Sequence, residues 1–515
     1  MTLHADPPAS ESSPADDATL PARPSSRAAA TQSEPKRMTA TTSRRVRAAL
    51  AVVAGRSAGA LARRLRFGGG TSLPGLVARR VDPTVSTYLS AQLRRGSVVI
   101  TGTNGKTTTS GLTATVLRAG GMRVWRNREG ANLARGVTAA LIIRALPSGR
   151  LRWQGNAAAV FEVDEAAFPR VVAEIQPRVI IVTNLFRDQL DRYGEVDIVT
   201  ERWRRAIDTM PAQTTLVLNA DDPAIAALAT PERHAGAVYF GVESVASAAD
   251  DPDGERTDVI DTRTCPRCRA PLVYSRRFYS HIGHWACARC DFARPEPAVK
   301  AANVTFDGLD ATHFTLITPE RESAVTVPLP GLYNVYNALA AVAAGLDLGV
   351  AISAAGDALA RFVPAFGRAE RISVDGRDVR LLLAKNPTGL NEVLRALAIT
   401  GERPHLLLLL NDRAADGEDV SWIWDADLEQ VQRAHPRHVT VGGTRAYDLA
   451  LRLKYAGAPP QAIEPEIANA LRVALEQTPV GETLYVAPTY TALLEVRGEL
   501  ERQGFAPRYW EQRDV

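Results

Sequence analysis

The sequence of 515 residues predicts an α/β protein built on a parallel sheet, and three features carry that expectation. The first is Thr101-Gly102-Thr103-Asn104-Gly105-Lys106-Thr107-Thr108, a glycine-rich turn between an apolar run at 97–100 and a helical stretch at 106–119 that Gly120-Gly121 closes. The second is the return of strand-like runs at 158–163, 179–183 and 215–218, separated by helical lengths and each ending in polar residues. The third is that all four cysteines fall in one pattern, Cys265-x2-Cys268 and, eighteen residues later, Cys287-x2-Cys290.

Composition bounds what these features mean. The length implies roughly three folded units, each with its own core. Apolar content of 45% and charge of 23% are ordinary for a globular chain, and no apolar run approaches the roughly 18 residues of a membrane span. A net charge of +4 over this length gives no argument for nucleic acid. Residues 1–43 are rich in Ala, Ser, Thr and Pro and poor in large apolar side chains, so a disordered tail is expected there. Asp6, Glu11, Asp16 and Asp17 precede any apolar core, which argues against a secretory signal and for a cytoplasmic protein. From 44 to 67, arginines alternate with Leu50, Val52, Val53, Leu61 and Leu65. That pattern fits either a basic helix on an anionic membrane surface or a docking helix with a solvated arginine face.

The glycine turn predicts a site for ATP. Backbone N–H groups of Gly102, Thr103, Asn104, Gly105, Lys106, Thr107 and Thr108 and the positive end of the following helix would face the phosphates. Lys106 would neutralise the β/γ oxygens, and Thr107 would offer its hydroxyl to Mg²⁺. A strict P-loop has glycine where this chain has Ile100. Three polar strand ends follow: Glu162-Val163-Asp164-Glu165, the stretch from Thr183 to Tyr193, and Asn219-Ala220-Asp221-Asp222-Pro223. In parallel sheets ligands gather at such ends, so Glu162 is expected to join Thr107 on Mg²⁺. Singly, acids of this kind also serve as helix caps.

The cysteine spacing matches a four-thiolate zinc ribbon over about 262–293, with disulfides as the alternative. Four thiolates leave no open position on the metal, so Cys265, Cys268, Cys287 and Cys290 are expected to hold a structural Zn²⁺, with His281 and His284 as surface or packing residues. If every cysteine holds metal, none is left to hydrolyse glutamine. Any ammonia the protein uses must come from elsewhere.

Five ordered motifs then make a resemblance specific. The 101–108 string, Asn127-Arg128-Glu129-Gly130-Ala131-Asn132, Asn219-x-Asp221-Asp222-Pro223, Gly331-Leu332-Tyr333-Asn334-Val335-Tyr336-Asn337-Ala338 and Gly367-Arg368-Ala369-Glu370 resemble the Mur ligase superfamily. The cysteine insertion, the stretch from Asn184 to Glu195, Lys385-Asn386-Pro387-Thr388-Gly389, the acids from Asn411-Asp412 to Asp425, and Pro488-Thr489-Tyr490-Thr491-Ala492 narrow it to the MurT branch. The resemblance implies a central P-loop ATPase domain at 44–366 carrying the zinc ribbon, and a C-terminal Rossmann-like α/β domain at 367–515 that meets a partner. It implies ATP-dependent amidation of the D-glutamate α-carboxylate in the lipid II stem peptide to D-isoglutamine through an acyl phosphate. Ammonia would come from a separate GatD-type glutaminase in a heterodimer. It further implies Asn334 and Asn337 near the adenine or its sugar, Arg368 closing onto the phosphates past a hinge near Phe366-Gly367, and work in the cytoplasm or at the inner face of the membrane.

Two departures favour the MurT branch over amino-acid-adding relatives. Asp188-Gln189 stands where those carry Asp-His, and Leu382 to Pro387 replaces their Asp-x-x-His-Asn-Pro. Ammonia needs no side-chain pocket. The acids and tryptophans of 415–425 suggest that Asp425, with Asp416 next, completes the partner's catalytic triad; the plain reading is a capped loop with core tryptophans. An amino-acid ligase of the folylpolyglutamate or muropeptide type, and a non-catalytic nucleotide-binding zinc scaffold, are the competing readings.

Overall fold

The computed structural model describes residues 42–64, 72–127, 130–187, 196–230, 232–246, 261–364, 368–399 and 403–507. Residues 1–41 of the expected tail lie outside this range, and a helix, Thr42–Arg64, begins two residues before the expected boundary. In chain order the described strands are β1 (Ser97–Thr101), β2 (Arg123–Arg126), β3 (Ala157–Glu162), β4 (Val179–Val182), β5 (Thr215–Asn219), β6 (Val238–Val242), β7 (Leu272–Tyr279), β8 (Ile282–Cys287), β9 (Val299–Asp307), β10 (Ala311–Ile317), β11 (Glu322–Val327), β12 (Arg368–Val374), β13 (Arg377–Leu382), β14 (His405–Leu409), β15 (His438–Gly442), β16 (Ala462–Glu464) and β17 (Thr483–Pro488).

Nine of them form one sheet in the order β11-β10-β9-β6-β5-β4-β1-β3-β2. Pairing is parallel from β2 to β9, and β10 and β11 run antiparallel at the edge. Side chains alternate between two cores, as the pleat requires. Val98 and Ile100 of β1 pack with Leu112, Val116 and Leu117 of the helix Lys106–Ala119. Val99 packs on the other face with Phe161, Trp203 and, from the first helix, Ala48 and Val52. Burial on both faces is why these strands read as continuous apolar runs in the sequence. Chain order reverses at β1, which lies between β4 and β3, so the sheet's switch point falls at Thr101-Gly102.

A second sheet runs β12-β13-β17-β14-β15-β16. Its only antiparallel pair among the described residues is β12–β13, joined by Asp375-Gly376 with φ of +47° and +75°, the left-handed pair that a two-residue hairpin turn needs. The rest is parallel, with Leu406 and Leu408 in one core and Leu407 and Leu409 in the other. Its switch point lies between β17 and β14. The two-stranded hairpin β7–β8 interrupts the first sheet: the chain leaves after β6, makes the hairpin, and returns as β9 paired in parallel with β6.

Candidate active site and a four-cysteine cluster

The switch points of the two sheets line one cleft of about 430 Å³. That volume lies within the roughly 300–1,000 Å³ usual for small-molecule sites. The first sheet contributes residues 103–108, Glu162, Asp164, Glu165 and Asn184; the second contributes Lys385, Thr388, Glu392, Ala415 and Tyr490.

The glycine turn is shaped by close approaches. Gly102 has φ of +136°, and a Cβ there would lie 2.1 Å from Thr183 Oγ1; at Gly105, φ +84°, it would lie 2.1 Å from Asn337 Oδ1. The departure at Ile100 falls in the strand, ahead of the turn. Ile100 is a buried residue of β1, and the turn is pinned by the next strand end, with Thr103 N donating to Asn184 O (3.0 Å) and Asn104 N to Asn184 Oδ1 (2.9 Å).

Lys106 Nζ donates to Gly102 O (2.5 Å), Thr103 O (3.2 Å) and Glu165 Oε1 (2.6 Å). Burial pushes the Glu165 carboxyl above its ordinary range, while Lys106 and then Lys385 pull it back. Thr107 Oγ1 donates to Glu162 Oε2 at 2.8 Å, so the hydroxyl and the carboxylate expected to share Mg²⁺ are side by side. Asn127 fixes that strand end: its Oδ1 accepts from Glu162 N (2.9 Å) and its Nδ2 donates to Glu162 O (2.8 Å). Buried glycine cradles and a hydroxyl–carboxylate pair suit a triphosphate and a hard divalent cation.

Asn334 and Asn337 also line the cleft. Asn337 Nδ2 donates to Asn334 Oδ1 (3.0 Å) and its Oδ1 accepts from Thr109 Oγ1 (3.0 Å), so the pair is tied to the P-loop helix. The two sheets meet in a reciprocal amide pair: Asn104 Nδ2 donates to Asn386 Oδ1 (3.3 Å), and Asn386 Nδ2 donates to Asn104 Oδ1 (2.9 Å). Asp416 is buried, accepting from the Thr491 backbone N (2.8 Å) and from the Thr491 hydroxyl. Asp425 is exposed at the end of the turn Ser421–Trp424, beside Trp424, which is 51% exposed and lies against Tyr455 at 5.8 Å. The core reading of the tryptophans therefore fails for Trp424. The Arg368 side chain and residues 188–195 lie outside the described residues.

The cysteines meet as the spacing predicts. Their four sulfurs lie within 4.8 Å of one another, with Cys265–Cys290 at 3.7 Å and Cys268–Cys287 at 3.4 Å. Sulfurs held about 2.3 Å from a tetrahedral ion would be about 3.8 Å apart, so the donor set fits zinc. Backbone N–H groups of Arg289 (3.3 Å) and Cys290 (3.4 Å) point at the Cys287 sulfur and hold its thiol down to about 6. Neither nearby histidine belongs to the cluster. His284 Nε2 lies 2.8 Å from Val242 O, and His281 is fully buried with Nε2 3.3 Å from Asp222 Oδ2. Burial opposes charge on His281, and Asp222 and Asp261 outweigh it, so its pKa is raised.

Sequence reasoning missed several members of the cleft. Glu165 was visible in a polar strand end, but nothing in its spacing marked it as the partner of Lys106. Phe186 and Tyr279 also line the cleft, and Tyr279 arrives from the cysteine hairpin with no sequence signal at all.

A parallel sheet with a glycine cradle at its switch point, closed by a second sheet, defines an ATP-dependent ligase of the Mur type. The Mur ligase middle domain model matches residues 100–265, and the MurT ligase C-terminal model matches 383–493. A pseudomurein peptide ligase type C from Methanothermus fervidus shares the fold, with a TM-score of 0.59 and 22% identity, over 80% of this chain and 79% of that one. The chain is 35% identical over 435 residues to the lipid II isoglutaminyl synthase (glutamine-hydrolyzing) subunit MurT of Staphylococcus aureus (strain N315), covering 84% of this chain and 93% of that protein. It is 32% identical to the subunit of the same name from Streptococcus pneumoniae (strain ATCC BAA-255 / R6), covering 87% and 96%. The chain belongs to the MurT family.

Proposed function

We propose that this chain is the synthetase subunit of a lipid II isoglutaminyl synthase, converting the D-glutamate α-carboxylate of the lipid II stem peptide to D-isoglutamine with ATP and ammonia. The observation that carries the reading is the shared cleft, where Lys106, Thr107 and Glu162 face Lys385, Thr388 and Tyr490 of the second sheet. In the first step the carboxylate oxygen attacks the γ-phosphorus of ATP, forming an acyl phosphate as ADP leaves. In the second, ammonia attacks the acyl carbon, phosphate leaves, and the surplus proton is lost to give the amide. Lys106 exchanges Glu165 for phosphate oxygens and offsets their charge, and the backbone of 102–108 orients them. Thr107 and Glu162 would hold Mg²⁺, which supplies further charge neutralisation at the phosphates. Asn334 and Asn337 serve the nucleoside end, and Arg368 closes onto the phosphates. Burial of the cleft between the sheets keeps water from the acyl phosphate.

Residues 44–366 form the ATP-binding domain, with Cys265, Cys268, Cys287 and Cys290 holding a structural Zn²⁺ in a ribbon. Residues 367–515 form a Rossmann-like domain whose face at Trp424, Tyr455 and Asp425 receives a GatD-type glutaminase, the source of ammonia. Asp425, or else Asp416, completes that partner's triad. The protein works in the cytoplasm, at the inner face of the membrane where lipid II resides. Supporting this, the helix Thr42–Arg64 contains no acid and exposes Val46 (53%), Leu50 (59%), Val53 and Leu61 (57%) at helical spacing, with Arg45, Arg47 and Arg64 exposed beside them. Such a face complements an anionic bilayer. Co-sedimentation with anionic but not zwitterionic vesicles, lost in Leu50→Gln, tests it; equal recovery with both lipids counts against it.

The test of the activity incubates the purified chain with ATP, Mg²⁺, ammonium and lipid II and follows products by mass spectrometry. One carboxylate becoming a carboxamide is expected. Growth of the precursor by an added amino acid instead would favour the amino-acid ligase, and absence of substrate-stimulated phosphate release, with the glutaminase also present, would favour the scaffold.

A further inference from the structure

The cysteine hairpin is more than a remote staple. Its sulfur end, where Leu272 pairs with Cys287, is about 17 Å from its tip at the strand rise of roughly 3.3 Å per residue. The tip, Tyr279-Ser280-His281, is buried within the protein. Tyr279 lines the cleft. Phe186 lies between this tip and the P-loop, with ring centroids 4.9 Å from His281 and 6.2 Å from Tyr279. Phe186 is in turn bonded twice to Thr103: its backbone N donates to Thr103 Oγ1 (2.9 Å), and Thr103 Oγ1 donates to Phe186 O (3.2 Å).

The same tip is fastened on two other sides. His281 faces Asp222, whose Oδ2 accepts from Leu185 N (2.9 Å), and Gly283 N donates to Asp221 O (3.0 Å). From the second sheet, Arg395 Nη1 reaches Phe278 O (3.3 Å) and also bonds Glu392 of the cleft wall (2.6 Å). A two-stranded hairpin is marginal in water by itself, so its order depends on what holds it. Here one end is four sulfurs, the middle is tied to the first sheet by Trp285 Nε1 on Ala220 O (3.1 Å) and Arg276 Nη1 on Glu243 O (2.8 Å), and the other end is the wall of the cleft.

We infer that the four-cysteine hairpin is a positioning element of the ATP cleft: metal at Cys265, Cys268, Cys287 and Cys290 holds Tyr279 and His281 in place, and they hold Phe186 and Thr103 of the P-loop. The inference rests on the nucleotide-site reading for its function, but its physical core is tested without nucleotide. Amide hydrogen exchange is compared between the metal-loaded chain and the chain stripped with a chelator, with metal content measured in each. Lost protection at 101–108 and 183–187 as well as 262–293, with β14 and β17 still protected and zinc restoring all of it, is the expected result. Deprotection confined to 262–293, or spread over the whole chain, overturns the inference.

A second pair of variants leaves the cysteines intact. With metal content unchanged, Tyr279→Ala is expected to weaken binding of a non-hydrolysable ATP analogue about tenfold and to loosen 101–108, while Tyr279→Phe restores both. Unchanged exchange at 101–108 in Tyr279→Ala rejects the coupling. A loaded wild-type chain that binds no ATP analogue would instead overturn the ATP reading, and the exchange result would still decide the coupling.

Discussion

The two parallel sheets end their strands at the same cleft, but the second also presents an acid and aromatic rings that stand in solvent outside the cleft lining. On the first sheet, Lys106, Glu165, Thr107, Glu162 and Asn127 are all buried and bonded to one another and to the backbone around them. On the second, Asp425 is exposed, Trp424 stands out beside Tyr455, and Tyr455 is itself 72% exposed. A site whose groups are held in place suits charge stabilisation in a reaction, because little beyond the exchange at Lys106 has to reorganise as charge develops. An exposed aromatic pair with an acid beside it suits docking. The difference supports the proposed division, with chemistry on the first sheet and docking of a partner on the second.

The sharpest way to break that division is to remove the buried cation. Lys106→Ala is expected to lower amidation on the order of 10³-fold with either ammonium or glutamine as nitrogen source. A loss limited to glutamine would move Lys106 out of the phosphate site. Asp425→Asn should do the converse, lowering glutamine-driven amidation about 100-fold while ammonium-driven amidation persists. Asp416→Asn serves as the comparison, and that selective loss appearing there instead would shift the triad role to the acid bonded to Thr491. Trp424→Ala should weaken capture of a GatD-type glutaminase by about 2 kcal/mol in titration calorimetry and leave ammonium-driven amidation intact. Unchanged affinity would remove this face from the interface.

The smallest effect is one of pH. Pairing with Asp222 and Asp261 raises the folded-state pKa of His281 above its unfolded value, near 6.5. Its contribution to stability is therefore complete below that pH and disappears as pH rises through the raised value. The difference in Tm between wild type and His281→Ala should be larger at pH 6 than at pH 9; a constant difference would mean that the ring only fills space.

Much of the first sheet could be read from the chain, for reasons visible in particular residues. Val98, Val99 and Ile100 are buried on both faces, so their run is unbroken, and Gly120 ends the helix Lys106–Ala119 where the sequence signal stood. Thr107 beside Glu162 followed from a strand-end acid after a P-loop. Tyr279 was illegible because its position depends on a hairpin inserted between β6 and β9. The approach of Lys385 to Glu165 and the pairing of Asn104 with Asn386 depend on how two sheets dock, and no local period encodes that. Asp416 and Asp425 looked alike as loop acids; only folding separates the one bonded to Thr491 from the one left in solvent.

The amide pair between Asn104 and Asn386 has a consequence for how the cleft responds to its medium. Neither side chain carries a charge, so mobile ions have nothing to screen, whereas the bridge from Arg380 to Asp310, with Asp310 65% exposed, weakens as ionic strength rises. The amide join that touches the P-loop is thus indifferent to salt, while the charged contacts between the sheets, Arg380 with Asp310 among them, feel it. Dilute or concentrated salt should leave that one amide contact at the cleft unchanged.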